Sequence, residues 1–167
     1  VEKSPLSKNQ CDLSPVNDGR KWKVFSSFRG KEMMVKLSSG DDVHSLKINF
    51  ARIGALKTCP VYSLPDDFDK AAVLRFYTDT EILYLYDFTR YSIWRWSDQW
   101  DTNRSPDIVV QHNEWRQHLY KHRKIDYFKR PIFDIILDQR FFNGLGNFSR
   151  SELLCRTRCS PFMNFNE

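Results

Sequence analysis

The sequence has no long apolar run and no closely spaced pair of cysteines. Its longest apolar stretch, from Ile82 to Tyr86, is far shorter than the about 20 residues that a helix needs to cross a bilayer. The first residues are polar, unlike a secretory signal. The four cysteines are scattered without a CxxC pair, which argues against a zinc ribbon and a disulfide scaffold. We expect reduced thiols in an intracellular protein with no membrane partner.

Catalytic and metal-binding motifs of the common kinds are also missing. The sequence has no P-loop and no pattern typical of a Ser–His–Asp triad. His118 and His122 are four residues apart in a predicted helix, a spacing that can hold zinc. However, no Glu follows His118 as in HExxH, and no third ligand is evident. We therefore expect surface histidines, no metal and no cofactor.

The charge of the chain is positive and unevenly distributed. The formal net charge is +5. Lys and Arg outnumber Asp and Glu in residues 1–40 and in residues 106–167, whereas the middle of the chain is slightly acidic. This pattern fits a polyanion that two separate basic elements grip. Mild basicity is also common in proteins that bind no nucleic acid, so charge alone does not decide the partner.

The first two thirds of the chain have the pattern of short β-strands. Segments rich in Val, Ile, Tyr, Phe and Trp alternate with turn residues, and their starts are roughly ten residues apart, which is typical of an antiparallel sandwich or barrel. The predicted strands are Lys21–Phe28, Lys31–Leu37, Ser45–Phe50, Ala71–Tyr77, Ile82–Phe88 and Tyr91–Trp96.

After Pro106 the apolar spacing becomes helical. Helices are predicted over His112–Lys124, from Pro131 onwards, and from the Gly144–Asn147 segment to about Arg158. The core stripe predicted for the second of these helices consists of Ile132, Ile135, Ile136 and Phe142. The sequence thus predicts an α+β protein with a β-sandwich domain in residues 1–105 and a helical domain in residues 106–167.

The segment Gly144-Leu-Gly-Asn147 is the most specific local feature. Two glycines allow a bulky ligand to approach the backbone, and Asn147 is a favoured N-cap residue. The free amides of a helix N-terminus can bind a phosphate, to which Arg140 and Arg150 could add charge. Alternatively, Gly144 ends one helix and Asn147 caps the next.

Four further residues, in three segments, could contact nucleic acid. Lys31 lies at a predicted hairpin tip, where a lysine can reach a phosphate or a reacting sugar, although most hairpin lysines are solubilising. Arg52 lies in a loop-like break whose tip could insert into a duplex or form an ordinary turn. Arg90 and Tyr91 place a cation beside an aromatic ring, which suits a phosphate or a base and also suits an exposed strand edge.

Together, these segments resemble a known family. The run from Asp138 to Arg156, DQRFFNGLGNFSRSELLCR, is similar to the helix-two-turns-helix signature of the Fpg/Nei DNA glycosylases, especially their endonuclease VIII-like branch. Four further segments resemble that branch in the same order, so the resemblance covers nearly the whole chain: Val1–Ser4, Arg29–Glu32, Leu74–Thr78 and Asp87–Trp94. It favours the phosphate interpretation of the glycine segment.

The resemblance implies a bifunctional DNA glycosylase and abasic-site lyase of base excision repair. Such enzymes flip an oxidised base, pyrimidines in particular, out of DNA and attack its sugar through an N-terminal proline amine. The base leaves, and the strand is then nicked through an imine. The implied partner is double-stranded or bubble DNA with oxidised bases or abasic sites. We expect a monomer in the nucleus.

The resemblance also assigns roles to individual residues. Lys31 falls on the family's catalytic lysine at the lesion. Asn147 falls on its phosphate-binding asparagine, with Gly144 and Gly146 beside it. The positions that fill the void left by the extruded base are occupied by Arg52, Arg90 and Tyr91, where the family has a methionine and an Arg-Arg-Phe run.

The chain departs from the family at both ends. It lacks the Pro-Glu opening that supplies the nucleophile, and it stops before the finger that completes the helical domain. We therefore expect a truncated chain that is inactive by itself. The alternative is a non-catalytic module of this family that binds damaged DNA, or a fold retained for protein contacts only.

Overall fold

The computed structural model describes residues 1–5, 7, 11–50 and 54–165. The chain forms two compact units. The first consists of Val1–Phe28 and Glu32–Gln99, and the second consists of Arg29–Lys31 and Trp100–Glu167. Three residues from the β-rich part of the sequence therefore belong to the second, helical unit.

The described residues of the first unit form two four-stranded sheets. Their strands are Glu2–Lys3 (β1), Lys23–Arg29 (β2, whose last residue enters the second unit), Glu32–Ser39 (β3), Asp42–Asn49 (β4), Ala55–Pro60 (β5), Ala72–Tyr77 (β6), Glu81–Tyr86 (β7) and Ile93–Trp96 (β8). One sheet has the order β1-β6-β7-β5, and the other has the order β2-β3-β4-β8. A single helical turn, Phe68–Ala71 (α1), precedes β6.

The two sheets share one hydrophobic core. Alternate residues of β3 point into it, because side chains of a strand alternate between its two faces. The buried residues of this core are Leu13, Val16, Met33, Val35, Leu37, Leu46, Ile48, Val73, Leu74, Phe76, Leu85 and Trp94. All of them except Leu13 and Val16 come from strands of the two sheets, so the predicted antiparallel sandwich is confirmed.

The sequence pattern did not reveal strand β5. Ala55–Pro60 contains Lys57, Thr58 and a terminal proline, and Cys59 is its one buried residue. It lies at the edge of its sheet and pairs with β7 alone among the described strands. An edge strand that buries little apolar surface has no clear alternation of apolar and polar residues, which explains why the prediction missed it.

Within residues 100–165, the second unit contains three α-helices. They are His112–His122 (α2), Ile132–Ile135 (α3) and Asn147–Thr157 (α4). The core of this unit consists of Phe128, Ile135, Phe141 and Phe142. Among the described residues, no helix combines the length and the apolar character that crossing a membrane would require.

Helix α3 is shorter than the sequence predicted. The proline at its N-terminus is placed as expected, but the helix ends after one turn. The Asp138 carboxylate accepts the backbone amide of Arg140, and the Asp138 carbonyl accepts the amides of Phe141 and Phe142. These bonds favour a turn over a continuing helix. Ile135, Ile136 and Phe142 are buried as predicted, whereas Ile132 is only half-buried.

A buried ion pair lies in the β3–β4 hairpin. The Lys47 ammonium is 3.8 Å from the Glu32 carboxylate, and the two side chains are 3% and 0% exposed. Residues of the same sheet face, Glu32 on β3 and Lys47 on β4, lie diagonally across the strand register. Removing one member of such a pair leaves a charge in a low-dielectric environment, which costs more than the pair itself contributes.

We expect Lys47→Met to destabilise the first unit by about 3–5 kcal/mol, because it leaves the Glu32 carboxylate buried without this ammonium. Urea denaturation measures the change in the free energy of unfolding. Lys36→Met, at an exposed position of β3, is the matched control and should change it by less than about 0.5 kcal/mol. Equal effects of the two variants would contradict the interpretation.

Candidate nucleic-acid interface

The hairpin tip Arg29–Lys31 is held within the second unit by its arginine. The Arg29 guanidinium donates to the carbonyl oxygens of Asp101, Arg104 and Ser105 at 3.3, 3.1 and 3.1 Å. All three acceptors lie in the segment that follows the last strand. Arg29 is thus a structural residue rather than a free cation. Its hydrogen bonds fix the backbone of the hairpin tip that carries Lys31.

Gly30 is the residue of the tip whose backbone lies against Asp107 and Asn143. Its amide donates to the Asp107 carboxylate, and its φ is +59°. A Cβ atom at this position would lie 2.0 Å from Oδ1 of Asn143. A Cβ on Gly144, whose φ is +108°, would lie 3.4 Å from the Gly30 Cα. Only glycine fits at position 30, both in conformation and in space.

Asn143 and Asp107 form the seat on which Gly30 rests. Asn143 is fully buried, and its side-chain amide donates to the Ser105 carbonyl at 3.0 Å. Its Oδ1 accepts a bond from Arg104 at 3.4 Å. Asp107 pairs with Asn143 as an isolated β-bridge. We call these two residues the Asp107–Asn143 seat.

Lys31 projects from this anchored tip towards the start of helix α4. Its Nζ is 3.3 Å from the place where a Cβ of Gly146 would lie. The side chain as a whole is exposed, yet partial burial of the ammonium lowers the pKa of Lys31, and the charge of Arg104 lowers it further. The site therefore holds a cation that gives up its proton more easily than a free lysine does.

The N-terminus of α4 differs from the prediction by one residue. Gly146 is the N-cap, with φ −125° and ψ −176°, and Asn147, which was predicted to cap the helix, is its first helical residue. The bare glycine leaves room for the Lys31 ammonium. The first intrahelical bond runs from the Arg150 amide to the Gly146 carbonyl, so the preceding amides can bind an external acceptor.

The two arginines proposed to add charge here have other contacts. Arg150 donates to the Phe133 carbonyl at 3.1 Å, with its guanidinium 3.4 Å from the centre of the Phe133 ring. Arg140 forms an ion pair with Asp138 at 2.5 Å. The structure thus brings together Lys31, the two glycines and Asn147 and commits both arginines elsewhere.

The remaining predicted residues belong to the first unit. Arg90 and Tyr91 lie in the loop between β7 and β8, where Arg90 has a left-handed φ of 57° and Tyr91 is 69% exposed. The Asp87 carboxylate shapes this loop by accepting the amides of Thr89 and Ser92 at 2.9 and 2.7 Å. Arg52 lies outside the described residues.

The histidine pair on α2 is a local contact. The rings of His118 and His122 are 4.4 Å apart, and the His118 and His122 rings bond to the carbonyls of Arg140 and His118, respectively. In the part of the chain that the structure describes, no three His, Cys, Asp or Glu side chains group as metal ligands would.

Sequence reasoning missed Asp107 and Asn143, which carry the seat. Asn143 was read only as part of a family motif, and Asp107 was not considered. Each contacts Gly30 across a long stretch of sequence, a distance at which residue spacing carries no signal. The one hint was the Arg-Gly-Lys tip itself, because a tight approach often explains such a glycine.

The chain is similar in sequence to two curated proteins. No protein-family model matches the chain. It is 31% identical over 172 residues to Endonuclease 8-like 1 of Homo sapiens and, equally, of Mus musculus. Each alignment covers 97% of this chain and 42% of the relative, so the chain spans less than half the length of these curated relatives.

The fold is similar to solved structures as well. A complex of Lactococcus lactis Fpg with DNA that contains an abasic site has a TM-score of 0.72 at 19% identity, covering 92% of this chain and 56% of that one. A viral DNA glycosylase has a TM-score of 0.68 at 18% identity, covering 92% and 63%. These likenesses agree with the α+β fold.

We expect Asp87→Asn to destabilise the first unit by about 1–3 kcal/mol, because a donating side-chain amide nitrogen would face the Ser92 amide in place of an accepting oxygen. Burial disfavours the charged form of Asp87, but the hydrogen bonds from Thr89 and Ser92 outweigh it and lower the pKa. This stabilisation is therefore present above the unfolded pKa of about 3.9 and is lost as the pH falls through the folded pKa.

Thermal melts between pH 2 and 7 measure this effect. Asp87→Asn should be less stable at neutral pH and should lose less stability on acidification. Asp79→Asn, at a carboxylate that is 83% exposed and paired with Lys21, is the control. A pH profile of Asp87→Asn parallel to that of the parent chain would count against the role of Asp87.

Proposed function

Because the chain belongs to the Fpg/Nei family of DNA glycosylases, we propose that it forms the lesion-binding part of a base-excision-repair enzyme. The observation that carries the proposal is the placement of Lys31 beside Gly146 at the N-terminus of α4. One ammonium and a set of free helix amides face the same place, and a backbone phosphate of DNA is an anion that fits both.

Binding of that phosphate is assigned to the start of α4. The helix dipole and the amides that precede Arg150 favour an anion. Asn147 is exposed as the first helical residue and adds a neutral donor at that end. Gly144 and Gly146 let the DNA backbone approach, since neither carries a side chain. The segment Asp138–Arg156 is, on this proposal, the helix-two-turns-helix element.

Lys31 has a different role from Asn147. Its ammonium lies at a rigid tip, and its lowered pKa lets it share a proton with a reacting group more readily than an ordinary lysine does. A fixed cation at the lesion stabilises negative charge that develops at the damaged nucleotide. We assign it as the catalytic residue of this chain.

The loop of Arg90 and Tyr91 is proposed to fill the space left by an extruded base. Its backbone is set in advance by Asp87, and Tyr91 is largely exposed, so its ring lies at the surface where a base can stack on it. Arg52, outside the described residues, is assigned to the same task by the family resemblance alone.

The whole protein would then remove oxidised bases, chiefly pyrimidines, and cleave abasic sites through an amine nucleophile. Its partner would be double-stranded or bubble DNA with oxidised bases or abasic sites, bound by a monomer in the nucleus. Support for DNA as the partner comes from the Fpg complex with abasic-site DNA, whose fold this chain shares. The competing proposal is a non-catalytic module with the same DNA-binding surface.

Borohydride trapping on an abasic-site duplex distinguishes the two proposals. A protein that uses an amine nucleophile forms an imine with the sugar, and reduction makes that adduct permanent. We expect the adduct from the whole protein. Stable binding of the same duplex by the whole protein, without any adduct, would favour the non-catalytic module.

Replacing Asn147 with Ala should weaken binding to damaged and undamaged duplexes alike, by about 1–3 kcal/mol, because a hydrogen bond to a phosphate is lost. The slope of affinity against salt should stay nearly unchanged, since no counterion-releasing charge is removed. Fluorescence anisotropy at several salt concentrations measures both quantities. A marked fall in the salt slope would show that Asn147 is not a neutral donor to phosphate.

Replacing Lys31 with Leu in the whole protein should reduce excision more than binding, because its charge is best placed in the transition state. Single-turnover excision at saturating enzyme isolates the chemical step. Lys36→Leu, which removes the same charge from an exposed site of β3, is the control. If excision at saturation stays normal in Lys31→Leu while binding weakens, Lys31 is a phosphate clamp and the catalytic assignment fails.

A further inference from the structure

The Asp107 carboxylate serves two segments at once. Oδ1 accepts the backbone amides of Val109 and Val110 at 2.7 and 2.9 Å, which folds the turn before α2. Oδ2 accepts the amide of Gly30 at the hairpin tip. Asp107 is 8% exposed, so these bonds are shielded from competing water, and each is made to an ionised acceptor, which strengthens it.

Asn143 closes the other side of the same seat. It is held by Ser105 and Arg104, and its side-chain oxygen occupies the volume that a Cβ of Gly30 would need. The hydrogen bond to Asp107 therefore fixes the orientation of the Gly30 backbone, and the Asn143 side chain limits how closely that backbone can approach. Lys31 is the next residue along the chain, so the same two contacts restrain the position of its Cα.

We propose that Asp107 is the positioning residue for Lys31, holding the hairpin tip so that the lysine ammonium stays beside the N-terminus of α4. The proposal rests on the function assigned above, because that function places the Lys31 ammonium at the lesion. Asp107 itself need not contact DNA. Its effect on DNA is transmitted through Gly30 and is absent when Lys31 is absent.

An aspartate suits this position better than an asparagine would. Asp107 accepts bonds at both oxygens, whereas the amide of asparagine has one accepting oxygen and one donating nitrogen. Asp107→Asn can keep the turn bonds to Val109 and Val110 through its remaining oxygen. The nitrogen would then face the Gly30 amide, donor against donor, and release the tip while the turn survives.

The experiment is a double-mutant cycle with the 167-residue chain. Affinities are measured for a duplex with a tetrahydrofuran abasic-site analogue and for the same duplex undamaged, and their ratio is the preference for the lesion. The variants are Asp107→Asn, Lys31→Met and the two combined. Asp126→Asn removes the same charge from an exposed residue of the second unit that pairs with Lys129 and serves as the control.

We expect Asp107→Asn to reduce the preference for the lesion about tenfold, the scale of one lost hydrogen bond to a charged group. Lys31→Met should reduce it at least as much, and adding Asp107→Asn to Lys31→Met should change nothing further. Asp126→Asn should leave the preference unchanged. A further drop in the double variant would show that Asp107 acts independently of Lys31 and would overturn the inference, leaving the proposed function intact.

If Lys31→Met alone leaves the preference unchanged, the role proposed for Lys31 in binding fails. The positioning inference then stands or falls on a measurement without DNA. Reductive methylation followed by mass spectrometry gives the pH at which Lys31 is half reactive, in the parent chain and in each variant. Burial and the Arg104 charge depress this value in the seated tip.

Two variants release the tip by different means, so a folding defect in one does not remove the test. Asp107→Asn removes the hydrogen bond, and Gly30→Ala drives a Cβ into Asn143. In both, the half-reactive pH of Lys31 should rise above its value in the parent chain. An unaltered Lys31 value in both folded variants would overturn the inference.

Discussion

The hydrogen bond from the Gly30 amide to Asp107 is the contact on which the arrangement around Lys31 depends. A lysine side chain is long and has many rotamers, so it defines a position only if its backbone is fixed. The Gly30 amide, the carbonyls that bind Arg29 and the close approach of Gly144 provide that fixation. Helix α4 then adds a second, independent source of positive potential at the same place.

Two buried aspartates among the described residues shape a loop in the same way. Asp87 and Asp107 are both buried carboxylates, and each binds backbone amides of a loop instead of a cationic side chain. Backbone amides cannot change rotamer, so a loop shaped in this way varies less than one held by a surface ion pair. Residues at the tips of such loops, Tyr91 in one case and Lys31 in the other, can therefore be exposed and still be well placed.

Much of the fold could be predicted from the sequence, but the Asp107–Asn143 seat could not. Alternating apolar residues predicted the sandwich, and the helical spacing predicted α2 and α4. An element that buries one face has apolar residues at a regular spacing along the sequence. The weakly apolar edge strand β5 has no such spacing. The association of Arg29–Lys31 with the second unit depends on hydrogen bonds to residues more than 70 positions away, which no local pattern records. The family resemblance identified Lys31 and Asn147 without explaining how either is held.

The fit between Gly30 and Asn143 limits the order in which this region can change. A side chain at position 30 would overlap the Asn143 amide, so a substitution of Gly30 is not tolerated while Asn143 is present. A smaller residue at position 143 opens the space first, at the cost of its bonds to Ser105 and Arg104. The two positions are therefore epistatic, and sequences that descend from this one should vary at position 30 only after position 143 has already changed.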